Sequence, residues 1–151
     1  MKLIKIVLTI TFLVYSGCNE HAKKGRLLKE MAIKNSYNID FENCIVICVP
    51  LNGCPSCVKN SINYLKKNYQ NESVYFILSS IFLKHFEYIK DTINITKANN
   101  IFFDYENYTG KYQLVEFYPR AYYFSDKKLK EIVKLDTEQK YNFLQTMLTE
   151  R

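Results

Sequence analysis

The chain has 151 residues, a length suited to one domain, and 48% of them are hydrophobic, with 13 tyrosines and 10 phenylalanines supplying core bulk in the absence of tryptophan. Its formal charge of +6 is spread along a Lys- and Asn-rich sequence rather than gathered into a block. With no groove-reading motif and no Gly-rich phosphate loop, nucleic-acid binding is set aside in favour of an ordinary solvated surface. Internal repeats and low-complexity segments are also absent.

The first element is an address. Lys2 and Lys5 precede the apolar stretch Ile6–Tyr15, which ends in Ser16-Gly17-Cys18. A basic start, a short apolar run and small residues at its end make an export signal. The run is shorter than the roughly 20 residues of a finished transmembrane helix. A cysteine directly after Ser-Gly resembles the lipobox of bacterial lipoproteins, although Tyr15 stands where Leu is usual. The resemblance implies that residues 1–17 are a signal peptide and that Cys18 is lipid-modified. The protein would then be tethered to a membrane of the bacterial cell envelope, facing the periplasm. From the residues alone, an ordinary cleaved signal or a core helix with an incidental cysteine stays open.

Residues 19–26 are polar and read as a tether, followed by a helical pattern at Leu27, Leu28, Met31 and Ala32 that runs to Lys34. Residues 35–43 read as a connector with room for a short strand. Next comes the densest stretch, residues 44–60. Ile45, Val46, Ile47 and Val49 form a continuous β-branched apolar run, as expected of a strand covered on both faces. Pro50, Asn52 and Gly53 break it. Pro55 suits a first helical turn, and Val58, Ile62 and Leu65 repeat at helical spacing to about Tyr69.

Cys54 and Cys57 therefore fall at a helix start, where unpaired backbone N–H groups and the positive end of the helix dipole favour a thiolate. A thiolate attacks disulfides, so Cys54 is expected to be the exposed nucleophile and Cys57, one turn further in, to resolve the mixed disulfide. A bare CxxC also serves as half of a zinc or iron–sulfur site, but there is no second CxxC and only 2 histidines. Cys44 and Cys48 lie four apart on one predicted strand, roughly 13 Å between Cα atoms and too far to bridge, so they read as small buried hydrophobes.

Beyond a turn at 70–73, Val74–Leu78 is a second buried strand and 82–93 a helix with Phe82, Phe86, Ile89 and Ile93 on one face. Residues 101–105 are a short strand, 108–111 a loop and 112–117 a brief helix or strand leading to Pro119. Residues 121–124 and 129–135, joined by the turn 125–128, make an antiparallel hairpin. Asp136 or Thr137 caps a last helix with Tyr141, Leu144 and Leu148 on its apolar face. The order β-α-β-α-β, hairpin, helix predicts an α/β fold with a mixed sheet and helices on both sides.

Strand, turn, CxxC and helix in this order resemble the thioredoxin-like proteins, and Pro119, just before the hairpin, stands where they carry a cis-proline facing the CxxC. The spacing from Cys57 to Pro119 resembles the envelope-anchored TlpA/ResA branch. The resemblance implies a signal peptide at 1–17, a tether and N-terminal helix at 18–37 and a thioredoxin-like domain at 38–151. It further implies a redox-active Cys54–Cys57 disulfide acting on protein thiols and disulfides of the envelope, with an unspecified redox partner protein and no cofactor. Pro119 would keep the facing loop's backbone available to an extended substrate and deter metal capture. Pro55-Ser56 replaces the Gly-Pro of thioredoxin and the Glu-Pro common in the ResA branch, and Gly53 stands where Trp is usual. Asn60 stands where a carboxylate often follows the second cysteine. The direction of electron transfer is therefore left open.

Two other classes fit the residues. Cys54 and Cys57 could bind copper or zinc with His85 as a third ligand, since thiolates suit both metals. Alternatively, Cys54–Cys57 is a plain staple in a non-catalytic module whose Tyr105, Tyr108, Tyr112, Tyr118, Tyr122 and Tyr123 line a binding surface. The redox enzyme is the leading expectation, and no metal site is assigned.

Overall fold

The structure is a computed structural model that describes residues 20–93 and 98–149. The expected signal peptide and the lipidation site at Cys18 lie outside those residues. Among the described residues no helix is long and apolar enough to cross a membrane.

The β-branched run dominates the sheet. Strand β1 (Asn43–Pro50) is buried at every position after Asn43. It is paired on both edges, in parallel with β2 (Val74–Ser79) from Ile45 opposite Val74 to Pro50 opposite Ser79, and antiparallel to β4 (Arg120–Ser125). Strand β3 (Ile101–Asp104) adds to β2 in parallel, and β5 (Lys128–Lys134) pairs antiparallel with β4 to give the order β3-β2-β1-β4-β5. The β4–β5 turn places Asp126 and Lys127 at φ 53° and 61°, the left-handed pair that matches strand twist in a two-residue hairpin.

Helices cover both faces. The continuous apolar run of β1 requires this, because each face of the strand needs a partner. On one side α2 (Pro55–Asn68), α3 (Leu83–Ile93) and α5 (Glu138–Thr149) bring Ile62, Leu65, Ile89 and Leu144 onto Ile45, Ile47, Val49, Phe76 and Leu78. On the other, helix α1 (20–34) packs Leu28 and Met31 against Val46, Cys48, Ile77, Tyr122 and Phe124. Cys44 and Cys48 sit here as buried thiols, the packing role expected of them, and burial pushes the Cys48 thiol well up.

Four local expectations are corrected. The tether expected over 19–26 is helical from residue 20, where α1 is held on the hairpin: a Cβ at Gly25 would stand 2.9 Å from that of Leu129. Residues 35–42 form no strand, and 112–117 adopt no regular element although Leu114 and Val115 are buried. The loop expected at 108–111 is a single helical turn, α4 (Tyr108–Lys111). Its cap comes from outside the helix: the buried Asp104 carboxylate accepts from the Tyr108 and Thr109 backbone N–H groups at 2.9 and 2.8 Å and from Thr109 Oγ1 at 2.9 Å.

Because those three donors would be left buried and unpaired, Asp104→Ala is expected to lower unfolding stability by about 2–3 kcal/mol. Urea denaturation followed by circular dichroism checks this.

Candidate functional site

The carboxyl end of β1 emerges at Pro50 into a tight turn, with Gly53 N–H donating to the Pro50 carbonyl at 2.9 Å. Cys54 then caps α2: its side chain accepts from the Cys57 backbone N–H at 3.4 Å, Pro55 occupies the first turn, and Lys66 and Lys67 close the last turn. The proline costs the helix nothing there and the lysines complement the negative end of its dipole. No acidic side chain in the first turn offsets the positive end.

The two sulfurs are joined as a disulfide across one helical turn, with Cα atoms 5.3 Å apart. They differ in environment. Cys54 is partly exposed, flanked by exposed Pro55 and Ser56, with Ser56 Oγ 3.4 Å from its Sγ. Cys57 is 4% exposed, and its Sγ lies 3.9 Å from the Asp136 carbonyl oxygen. Only the Cys54 face of the bond is open to an incoming nucleophile.

Beneath Cys57 the interior is neutral. Ser61 Oγ donates to the Cys57 carbonyl at 3.0 Å and lies 2.6 Å from Tyr141 Oη, which reaches the same carbonyl at 3.3 Å. Burial pushes the Tyr141 phenol up, so it stays protonated and able to donate. Near the entrance, Lys134 holds the Asp136 carboxyl below the usual carboxylate range through a 2.8 Å ion pair.

The segment before β4 lies against the first cysteine. Cys54 N–H donates to the Phe117 carbonyl at 2.9 Å, and Pro119 is buried with its carbonyl accepting from Leu135 N–H at 2.8 Å. The cis bond implied for Pro119 is not found: among the described residues no peptide bond is cis. Trans is the lower-energy form of an X–Pro bond unless its surroundings oppose it.

His85 is engaged through Nδ1 with Ser80 Oγ at 2.9 Å, and among the described residues no group of three or more His, Cys, Asp and Glu is placed to hold a metal ion. The six tyrosines do not form one surface, since Tyr122 is fully buried with its hydroxyl on the Leu114 carbonyl, while Tyr105 is exposed.

Sequence reading did not identify the Phe117 carbonyl, Ser61 or the Tyr141 hydroxyl as parts of the site. Ser61 had a signal, lying one turn after Cys57 on the buried helix face. Tyr141 looked like a plain apolar position, and nothing local marked the Phe117 backbone.

No protein-family model and no curated protein matches the chain. Among solved structures it is similar to a secreted disulfide oxidoreductase of Mycobacterium tuberculosis homologous to E. coli DsbE. That match has 10% identity and a TM-score of 0.53 and covers 75% of this chain and 84% of that one. A thioredoxin-like protein of Porphyromonas gingivalis is 18% identical at a TM-score of 0.49, covering 72% and 74%. A thiol-disulfide oxidoreductase of Bacteroides fragilis is 13% identical at 0.46, covering 70% and 81%. The fold is thioredoxin-like, a mixed five-stranded sheet flanked by helices, as the element order predicted. Within it, the cysteine pair opens the helix that follows β1.

Gly53 is the tightest point of the site: a Cβ there would stand 2.2 Å from the Phe117 carbonyl oxygen. Gly53→Ala is therefore expected to push the two segments apart and cost about 1–3 kcal/mol, the usual range for overpacking, with Cys54 amide exchange accelerated. Denaturant unfolding and hydrogen exchange measure the two effects.

Proposed function

We propose that the chain is a thiol–disulfide oxidoreductase of the bacterial cell envelope, held at a membrane through a lipid on Cys18 and acting on protein thiols and disulfides. The observation that carries this reading is the Cys54–Cys57 bridge at the start of α2, with one sulfur accessible and the other buried. The similarity to a secreted disulfide oxidoreductase supports it. The export-signal pattern and the Ser16-Gly17-Cys18 sequence support the location.

In the oxidising direction a partner thiolate attacks Cys54 Sγ. A bond forms between the two attacking sulfurs, the Cys54–Cys57 bond breaks, and Cys57 leaves as a thiolate. A second partner thiolate then displaces Cys54. In the reducing direction the Cys54 thiolate attacks a partner disulfide and Cys57 closes the cycle. The amides opening α2 stabilise the Cys54 thiolate in both directions. Pro119, in the loop whose Phe117 carbonyl accepts from the Cys54 N–H, keeps that loop's backbone available to an extended substrate. No cofactor takes part.

Cys54→Ser is expected to abolish exchange with glutathione and protein disulfides, and Cys57→Ser to accumulate mixed disulfides on Cys54, read by alkylation and mass spectrometry. Unchanged exchange in Cys54→Ser overturns the reading. Equilibration of the full chain in dithiothreitol or glutathione buffers gives the direction: a potential near about −270 mV marks a reductase and one near about −120 mV an oxidant.

A further inference from the structure

Positive charge that is scattered along the sequence is gathered by the fold. Helix α1 carries five Lys or Arg against two Glu, and residues 126–130 at the β4–β5 turn carry three Lys against Asp126. The other described residues carry nine Lys or Arg against eleven Asp or Glu, so the positive excess lies in these two segments alone. The fold joins them directly. Lys29 Nζ donates to the Lys127 carbonyl across 98 residues of sequence, and Gly25 packs against Leu129.

Between the two segments runs a groove lined by apolar Gly25, Phe124 and Leu129 and by exposed Arg26, Lys128 and Lys130. Ile33, on the same face of α1, is 79% exposed. Acidic side chains are present but do not remove the cations. Arg26 meets Glu30 at 3.7 Å, Lys130 meets Asp126 at 3.9 Å and Lys127 meets Glu42 at 3.1 Å, all of them exposed pairs of the weak kind. The turn lies far from the cysteines, because Asn43 stands opposite Ser125 while Cys54 follows the other end of β1. The eight residues of that strand span roughly 25 Å at about 3.3 Å each.

We infer that this face of α1 and the turn seats on a bilayer of anionic phospholipid, with Arg26, Lys127, Lys128 and Lys130 on the headgroups and Ile33 at the acyl boundary. The occupant follows from where the described chain begins. Helix α1 opens at Glu20, two residues after Cys18, and two residues reach at most about 7 Å. A lipid on Cys18 therefore holds α1 at the membrane surface, and a basic patch beside a lipid is a second, electrostatic hold on anionic headgroups. The seating leaves the cysteine pair, at the far end of β1, open to partners. The inference rests on the lipid anchor proposed above and adds the lipid class and the face that meets it.

The test uses the full chain, purified with its lipid and reconstituted on vesicles of phosphatidylcholine alone or mixed equally with phosphatidylglycerol. Amine labelling read by mass spectrometry reports each lysine. On the anionic vesicles Lys127, Lys128 and Lys130 are expected to label at least about five-fold more slowly than on the neutral ones, the factor that one basic side chain near such a surface contributes. Lys59, Lys84 and Lys134, at the cysteine end, should label alike on both. Salt at about 1 M, where the screening length falls to about 3 Å, should remove the difference. In the variant Arg26→Gln, Lys128→Gln the protection of Lys127 and Lys130 should shrink, with an unchanged circular dichroism spectrum reporting an intact fold. Equal labelling of the turn lysines on both vesicles, or equal protection of the lysines at the two ends, overturns the inference and leaves the anchor standing. A purified chain whose mass shows no lipid on Cys18 overturns the anchor and this inference with it.

Discussion

Strand β1 is hydrogen-bonded along both edges and covered on both faces, and the rest of the molecule is arranged to allow this. A run of Ile and Val with no polar face cannot lie at a surface; each such side chain moved fully out of water contributes roughly 1.5–3 kcal/mol. A parallel neighbour demands a crossover helix, so α2 must return over one face to reach β2. The opposite edge takes the antiparallel β4, which brings the start of the hairpin to the same end of the sheet from which β1 exits. The cysteines lie at that end because the strand that precedes them has only one place to be.

This constraint also makes the two sulfurs unequal. Cys54 stands outside the helix as its cap, whereas Cys57 is carried inward by one turn of α2 toward the core. The inner sulfur lies 3.9 Å from the Asp136 carbonyl oxygen, and the two hydroxyls beneath it act on the Cys57 backbone.

The same end of the sheet carries the molecule's conspicuous cost. Ile81 and Phe82, just before α3, and Leu83, its first residue, forgo the burial that Phe86 and Ile89 achieve further along that helix. The Ser80 hydroxyl and His85 lock this choice, so the metal-ligand candidate of the sequence serves instead to hold a loop.

Local patterns were enough for most of the architecture and for placing the cysteine pair at a helix start. Strand β1, the breaker residues, the CxxC at a helix start and the hairpin depend on nearest-neighbour periodicity and on residues with restricted backbones, both written in sequence. The helical start of α1 was missed because its early residues are polar, and it is contacts with distant residues, Gly25 against Leu129 and Lys24 on the Gln113 carbonyl, that hold them. The turn at 108–111 was missed because its cap is Asp104, four residues away and buried. The Phe117 carbonyl, the trans bond at Pro119 and the outward-facing Ile81–Leu83 could not be read locally either. In sequence Phe82 looks like the first residue of an apolar helix face, and its exposure follows only from where β2 ends in the sheet. Chain-local chemistry determined which cysteines open the helix after β1; the packing of separate segments around the end of β1 decided what surrounds them, because burial and hydrogen-bond pairing between distant residues are properties of the folded chain alone.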